Sequence, residues 1–121
     1  MERAQALTAL QALANGTRLD LVRLLIQAGE AGVAAGEIAR KLGLSPSRLS
    51  FHLAALESAG LVASRRDARH VFYSADPGGL GGTIGFLLAD CCLHHPDVTA
   101  CCRRSLDAAA PAPRITRSPA G

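Results

Sequence analysis

SPSRLSFHLAALESAG, residues 45–60, is the stretch from which the rest of the chain can be ordered. It opens with a helix-start signature: the Ser45 hydroxyl can accept from free backbone N–H groups, and Pro46 suits the first helical position. Leu49, Leu53 and Leu56 recur at helical spacing and should face a core. Gly60 can take the left-handed backbone that ends a helix. The outer face near the start then carries Ser47, Arg48, Ser50, Phe51 and His52. These are short donors, one guanidinium and flat rings, placed where a helix could push them into a groove.

The flanking segments sharpen this reading. AGEIARKLG, residues 35–43, reads as a short helix with Ile38 and Leu42 inward, and Gly43-Leu44-Ser45 makes a tight turn. Two helices joined by a short glycine turn, with polar residues exposed at the start of the second, form a helix-turn-helix. Downstream, residues 61–64 and 70–74 read as short strands, with Val62, Val71, Phe72 and Tyr73 as strand formers. Between them Arg65-Arg66-Asp67-Ala68-Arg69 forms a basic hairpin tip. The expected fold is mainly α with a β-hairpin wing, a winged helix-turn-helix.

Charge supports the same placement. The chain of 121 residues has a net charge of +3. Residues 40–70 hold six basic residues (Arg40, Lys41, Arg48, Arg65, Arg66, Arg69) against Glu57 and Asp67, whereas the remainder holds seven basic against eight acidic. The positive excess therefore coincides with the helix-turn-helix and wing, as phosphate contacts require. Hydrophobic residues make up 49% of the chain but aromatics only 3%, so the core must be aliphatic, and a partner subunit would help bury it. The chain shows neither a membrane-length apolar run nor a signal-peptide pattern, so a cytoplasmic protein without membrane contact is expected.

Read in order, residues 2–14 form an amphipathic helix with Leu7, Leu10 and Leu13 on one stripe. Thr17 can cap a second helix over residues 18–28, with Leu21, Leu24 and Leu25 inward. After the wing, Asp76-Pro77 starts another helix, which Pro96 ends. Gly81, Gly82 and Gly85 weaken that helix by up to about 1 kcal/mol each unless it packs backbone-close against something. One or two further turns are expected over residues 99–106, and residues 107–121, rich in proline, read as a disordered tail. Residues 1–95 thus form the reading and dimerisation unit. Its first and last helices would pair across a two-fold axis and present two reading heads to successive major grooves.

All four cysteines, Cys91, Cys92, Cys101 and Cys102, fall within residues 90–106 as two adjacent pairs, with His94 and His95 between. Adjacent cysteines rarely bridge each other, and paired zinc ligands are usually two to four residues apart. Neighbouring helical residues diverge by about 100°, yet two thiolates can meet one large soft ion if the helix end frays. Soft sulfur selects thiophilic ions: three sulfurs suit trivalent arsenic or antimony, four suit cadmium or zinc. Arg103 and Arg104 place positive charge beside the second pair.

The runs LANGTRLDLVRLL (residues 13–25) and EIARKLGLSPSRLSFHLAALESAGLVASRRDARHVFYSADP (residues 37–77) resemble the ArsR family of winged-helix metalloregulatory repressors. The resemblance covers about residues 3–95. It implies a homodimer that binds a palindromic operator in double-stranded DNA and leaves it when an inducer binds. Many arsenic-responsive members carry a CVCD-like motif at the start of the helix-turn-helix, where this chain has Val33-Ala34-Ala35-Gly36. Instead, Asp90-Cys91-Cys92-Leu93-His94-His95-Pro96-Asp97 looks like the DCCxxHPE run of members with an inducer site at the end of the last helix. The third ligand would be Cys101 or Cys102, while His94 and His95 read as surface residues.

The expected function is a repressor released by arsenite, with antimonite a further inducer. Arg48, with Ser47, Ser50, Phe51 and His52, would read bases or fix register, and Arg65, Arg66 and Arg69 would grip phosphate or the minor groove. Trivalent methylarsenic needs only two sulfurs, and cadmium, lead or mercury are rival inducers. A thiol redox sensor is a third reading, weakened by the lack of a C-x-x-C pair. The sequence shows no catalytic acid–base constellation, so neither an enzyme nor a small organic substrate is expected.

Overall fold

The computed structural model describes residues 1–109. Helices α1 (Arg3–Leu13) and α2 (Gly16–Ala28) lead through a 3-10 turn, Gly29–Ala31, into a short strand β1 (Val33–Ala34). The pair α3 (Ala35–Leu42) and α4 (Pro46–Ser58) follows, then strands β2 (Val62–Asp67) and β3 (His70–Ala75). Helix α5 (Pro77–Phe86) runs into a π-helical turn, Leu87–Cys91, and α6 (Pro96–Ala108) closes the described chain. This is a winged helix-turn-helix.

Local chemistry explains most boundaries. Ser45 accepts the backbone N–H of Arg48, and Pro46 stands at the first turn of α4. At the other end Gly60 has φ 77°. Its N–H donates to the Glu57 carbonyl at 3.0 Å, and the Leu61 N–H donates to the Leu56 carbonyl at 3.0 Å. That pair of bonds satisfies two carbonyls the helix would otherwise leave open. Gly43, at φ 65°, ends α3 in the same left-handed region.

The core forms where α2, α3, α4 and the sheet meet. Leu21, Leu25, Ile38, Leu56 and Leu61 are fully buried, each worth about 1.5–3 kcal/mol in apolar burial. The inward leucines of α2 and α4 are those the spacing predicts. The first helix differs. Ala6, Ala9 and Ala12 are buried, whereas Leu7 is 48% exposed. Small side chains let α1 approach its neighbours closely, while of the expected leucine stripe Leu13 packs at the edge of the core, Leu10 is half-buried and Leu7 faces out. Asn15, not Thr17, caps α2, because its side chain accepts the Arg18 N–H from an extended backbone one residue before the helix.

The sheet has three strands in the order β1-β3-β2, all antiparallel. Val33 and Ala34 pair with Tyr73 and Phe72, a strand too short to show in the sequence pattern. Arg65, Arg66 and Asp67, expected in the hairpin tip, are instead the end of β2, paired with Phe72, Val71 and His70. The tip is Ala68-Arg69 alone, with Ala68 at φ 57°.

The C-terminal segment departs furthest from expectation. Asp76 caps α5 by accepting from Gly78 and Gly79, as predicted. Pro96, however, ends no helix. It opens α6, capped by the His95 ring, whose Nδ1 accepts the Asp97 N–H. A proline whose missing N–H would be unsatisfied at a helix start fits there as well as after a helix end. The preceding chain reverses through Leu93 and His94, at φ 54° and 56°. Helix α6 runs two residues into the expected tail, and the rest of that tail, residues 110–121, lies outside the described residues.

The close approach expected of the glycines occurs at Gly79. A Cβ there would overlap the carbonyl oxygen of Gly60, whereas Gly81 and Gly85 meet nothing nearby. The start of α5 thus rests on the end of α4, an arrangement reinforced by the Asp76 N–H donating to the Leu61 carbonyl at 2.9 Å. Gly79→Ala should therefore destabilise the protein by about 1–3 kcal/mol through overpacking, read as a lower denaturant midpoint, while Gly81→Ala should not.

Candidate functional site

The first turns of α4 bring the predicted contact residues together. Ser47, Arg48 and Ser50 are exposed, and Phe51 is 66% exposed. Ser47, Arg48, Phe51 and His52 line a depression of about 300 Å3. His52 is the exception to the expected outer face: it is 8% exposed and turned toward the body of the protein. The reason is geometric, since positions 49, 52, 53 and 56 share one helical stripe and His52 takes the remaining inward place.

His52 is held by a residue the sequence reading missed. The Arg18 Nε–H donates to His52 Nδ1 at 3.1 Å, which leaves the neutral ring's own proton on Nε2. The Arg18 guanidinium carbon lies 5.6 Å from the centre of the Phe51 ring. Arg18 sits in the first turn of α2, so it fastens α2 to the exposed end of α4 and adds a cation beside Arg48. The available signal was an arginine at the start of a helix whose leucines pack toward α4. Burial lowers the His52 pKa below its usual value, and the positive charges of Arg18 and Arg48 lower it further.

The wing arginines divide into two groups. Arg65 donates to the Ala31 carbonyl at 2.8 Å, lies 4.9 Å from the Phe72 ring centre and approaches Asp67 at 3.8 Å. It braces the wing against the turn before β1. Arg66 and Arg69 are exposed on the far strand and the tip. Arg40 and Lys41 end α3, where Lys41 pairs with Glu37 at 3.8 Å.

The four thiols are free and fall on two elements. Cys91 ends the π turn and Cys92 follows it, its N–H donating to the Leu87 carbonyl at 3.0 Å. Hydrogen bonding with the Cys91 thiol raises the Cys92 pKa, with burial and the neighbouring sulfur's charge adding to it. Cys101 and Cys102 lie on α6, where Arg104 donates to Cys101 Sγ at 3.0 Å. These two cysteines line an open hollow with Asp97, Val98 and Ser105. Among the described residues, no group of three or more His, Cys, Asp or Glu side chains converges as a metal site would need. Cys91 and Cys92 thus lie at the end of the α5 segment, and Cys101 and Cys102 on the separate helix α6.

Comparison with known proteins adds to this geometry. The pattern that defines a helix-turn-helix domain family matches residues 13–65. The HTH-type transcriptional regulator YgaV of Escherichia coli (strain K12) is 41% identical over 70 residues, covering 58% of this chain and 69% of the relative. Other curated relatives are spanned over less than two thirds of their length. An ArsR-like transcriptional regulator from Rhodococcus sp. RHA1 superposes with a TM-score of 0.64 at 26% identity, covering 89% of this chain and 96% of that one. A possible transcriptional regulator for arsenical resistance superposes with a TM-score of 0.58 at 37% identity, covering 65% of this chain and 79% of that one.

The arginine–histidine contact has a measurable consequence. A histidine whose folded pKa is lowered binds fewer protons folded than unfolded, so its contribution is complete above about pH 6.5 and is lost as pH falls through the lowered value. Thermal melting from pH 7.5 downward should show an acid-side loss of stability that His52→Gln lacks.

Proposed function

The chain belongs to the ArsR family of winged-helix transcriptional regulators, and on that footing we propose that it is a dimeric repressor released from a palindromic operator by trivalent arsenic or antimony. It is a DNA-binding regulator of transcription, and its place of action is with the DNA in the cytoplasm. The observation that carries the reading is the seating of α4: Ser47, Arg48, Ser50 and Phe51 project from its first turns while His52 and three leucines anchor its other side. Arg48 contacts a base edge, for which a planar guanidinium suits guanine. Arg66 and Arg69 hold phosphate, and Arg65 keeps the wing in position for them.

Dimerisation is supported by surface that a single subunit leaves uncovered. Helix α5 carries no charged residue, yet Ile84 is 56% exposed, and Leu7 on α1 is exposed as well. A helix apolar all round is normally buried on all sides. A second copy of the chain would cover these faces and set two copies of α4 about one DNA turn apart.

Release is assigned to the cysteines. Cys91 and Cys92 supply two adjacent sulfurs at the end of the α5 segment. Cys101 or Cys102 supplies the third once the intervening turn moves. Leu93 and His94 stand in left-handed backbone that costs about 1–2 kcal/mol per residue, so that turn gains by rearranging. Movement of α5 reaches α4 directly, because Gly79 rests on Gly60. A coupling of about 1–3 kcal/mol is enough to change operator affinity several-fold or more. Similarity to a possible regulator for arsenical resistance favours the same signal. Trivalent methylarsenic is the second reading, favoured by the placement of Cys91 and Cys92 next to each other and of Cys101 and Cys102 on a separate helix.

Cys91→Ser should bind operator DNA as the wild type does and stay bound when arsenite is added in a mobility-shift assay; release of that variant by arsenite would refute the assignment. Thiol counting during titration should show three protected sulfurs for inorganic arsenic, whereas two would favour the methylated form. Ile84→Lys should sediment as a monomer and bind a two-half-site duplex at least tenfold more weakly.

A further inference from the structure

Phe51 is the phenylalanine that the fold leaves in solvent, since Phe72 and Phe86 are half-buried. It is nonetheless fixed. The Arg18 guanidinium stands 5.6 Å from its ring centre, and the His52 ring meets it at 5.6 Å with an interplanar angle of 68°. Arg18 is itself tied to His52 at 3.1 Å. The exposed remainder of the ring forms the apolar part of the depression shared with Ser47 and Arg48. A rigid benzene ring among cations is therefore presented on the same helical face as Arg48, three residues earlier.

Phosphate oxygens call for cations or donors, and most of a base edge calls for hydrogen bonds; a benzene ring supplies neither. The apolar feature of the major groove is the C5-methyl group of thymine, and 5-methylcytosine carries the same group at the same place. We propose that Phe51 reads a pyrimidine C5-methyl group, so that each operator half-site holds a methyl-bearing pyrimidine beside the base that Arg48 contacts. The inference rests on the placement of α4 in the major groove. Arg18 is then a positioning residue: it and His52 hold the ring at a fixed angle to the groove, so the methyl is met by a surface that needs no reordering.

The test begins with duplexes selected by the full chain from a random pool. Each thymine is replaced in turn by deoxyuridine, which removes one methyl and leaves every hydrogen-bonding group. One thymine per half-site is expected whose replacement weakens wild-type binding about fourfold, the factor that burial of one methyl corresponds to. Phe51→Ala should bind the two duplexes equally. A parallel pool containing 5-methylcytosine in place of cytosine identifies the source. Loss on removal of the thymine methyl assigns thymine, and loss on reversion to cytosine assigns the modified base. If no methyl removal weakens the wild type beyond twofold, or if Phe51→Ala suffers the same loss, the proposal fails while groove binding stands. If selection enriches no duplex at all, the proposal fails together with the placement of α4.

Discussion

The outward chemistry of α4 depends on how its inward side is held. Leu49, Leu53 and Leu56 bury against leucines of α2 and Ile38 of α3, and this aliphatic contact sets the helix's distance and tilt. That aliphatic stripe decides which face of the helix turns inward, but dispersion contacts have little direction and tolerate small rotations about its axis. The bond from Arg18 to His52 supplies direction, since a hydrogen bond weakens steeply away from its axis. One polar contact at the rim of the core thus fixes the angle at which Ser47, Arg48, Ser50 and Phe51 leave the surface.

The far end of α4 carries the second constraint. Gly60 ends the helix, and the backbone of Gly79 lies against its carbonyl, so α4 and α5 share a contact without side chains between them. Such contacts transmit displacement well, because no rotamer can absorb it. Thr83 extends the same unit: its hydroxyl donates to the Gly79 carbonyl at 2.8 Å and lies 3.8 Å from Sδ of Met1, two residues before α1. Beyond Phe86 the helix widens to a π turn and the chain reverses through two left-handed residues. Regular α-helical geometry therefore holds where α5 meets α4 and gives way before the thiols.

Much of this was legible in the residues. Ser45, Pro46 and Gly60 bounded α4 correctly, and Asp76 with Pro77 began α5, because capping chemistry acts within three or four residues and is written in the local sequence. The leucine spacing of α2 and α4 identified the core for the same reason. The arginines grouped in the sequence do fall on α3, α4 and the wing, and the doubled cysteines at the end of the π turn and on α6. Features that pair distant residues were another matter. Arg18 with His52 and Arg65 with Ala31 are each 34 positions apart, so neither contact leaves a periodic trace. The alanine side of α1 packs inward in preference to its leucines because of how closely its neighbours approach, a property of the assembled helices. Pro96 satisfied both a stop and a start, and only the chain reversal at Leu93 and His94 decided between them. Sequence by itself therefore determined most of the elements, though neither β1 nor the start of α6. Tertiary structure decided which of those side chains hold the fold and which remain free to act, because that choice is made by neighbours brought together across the chain.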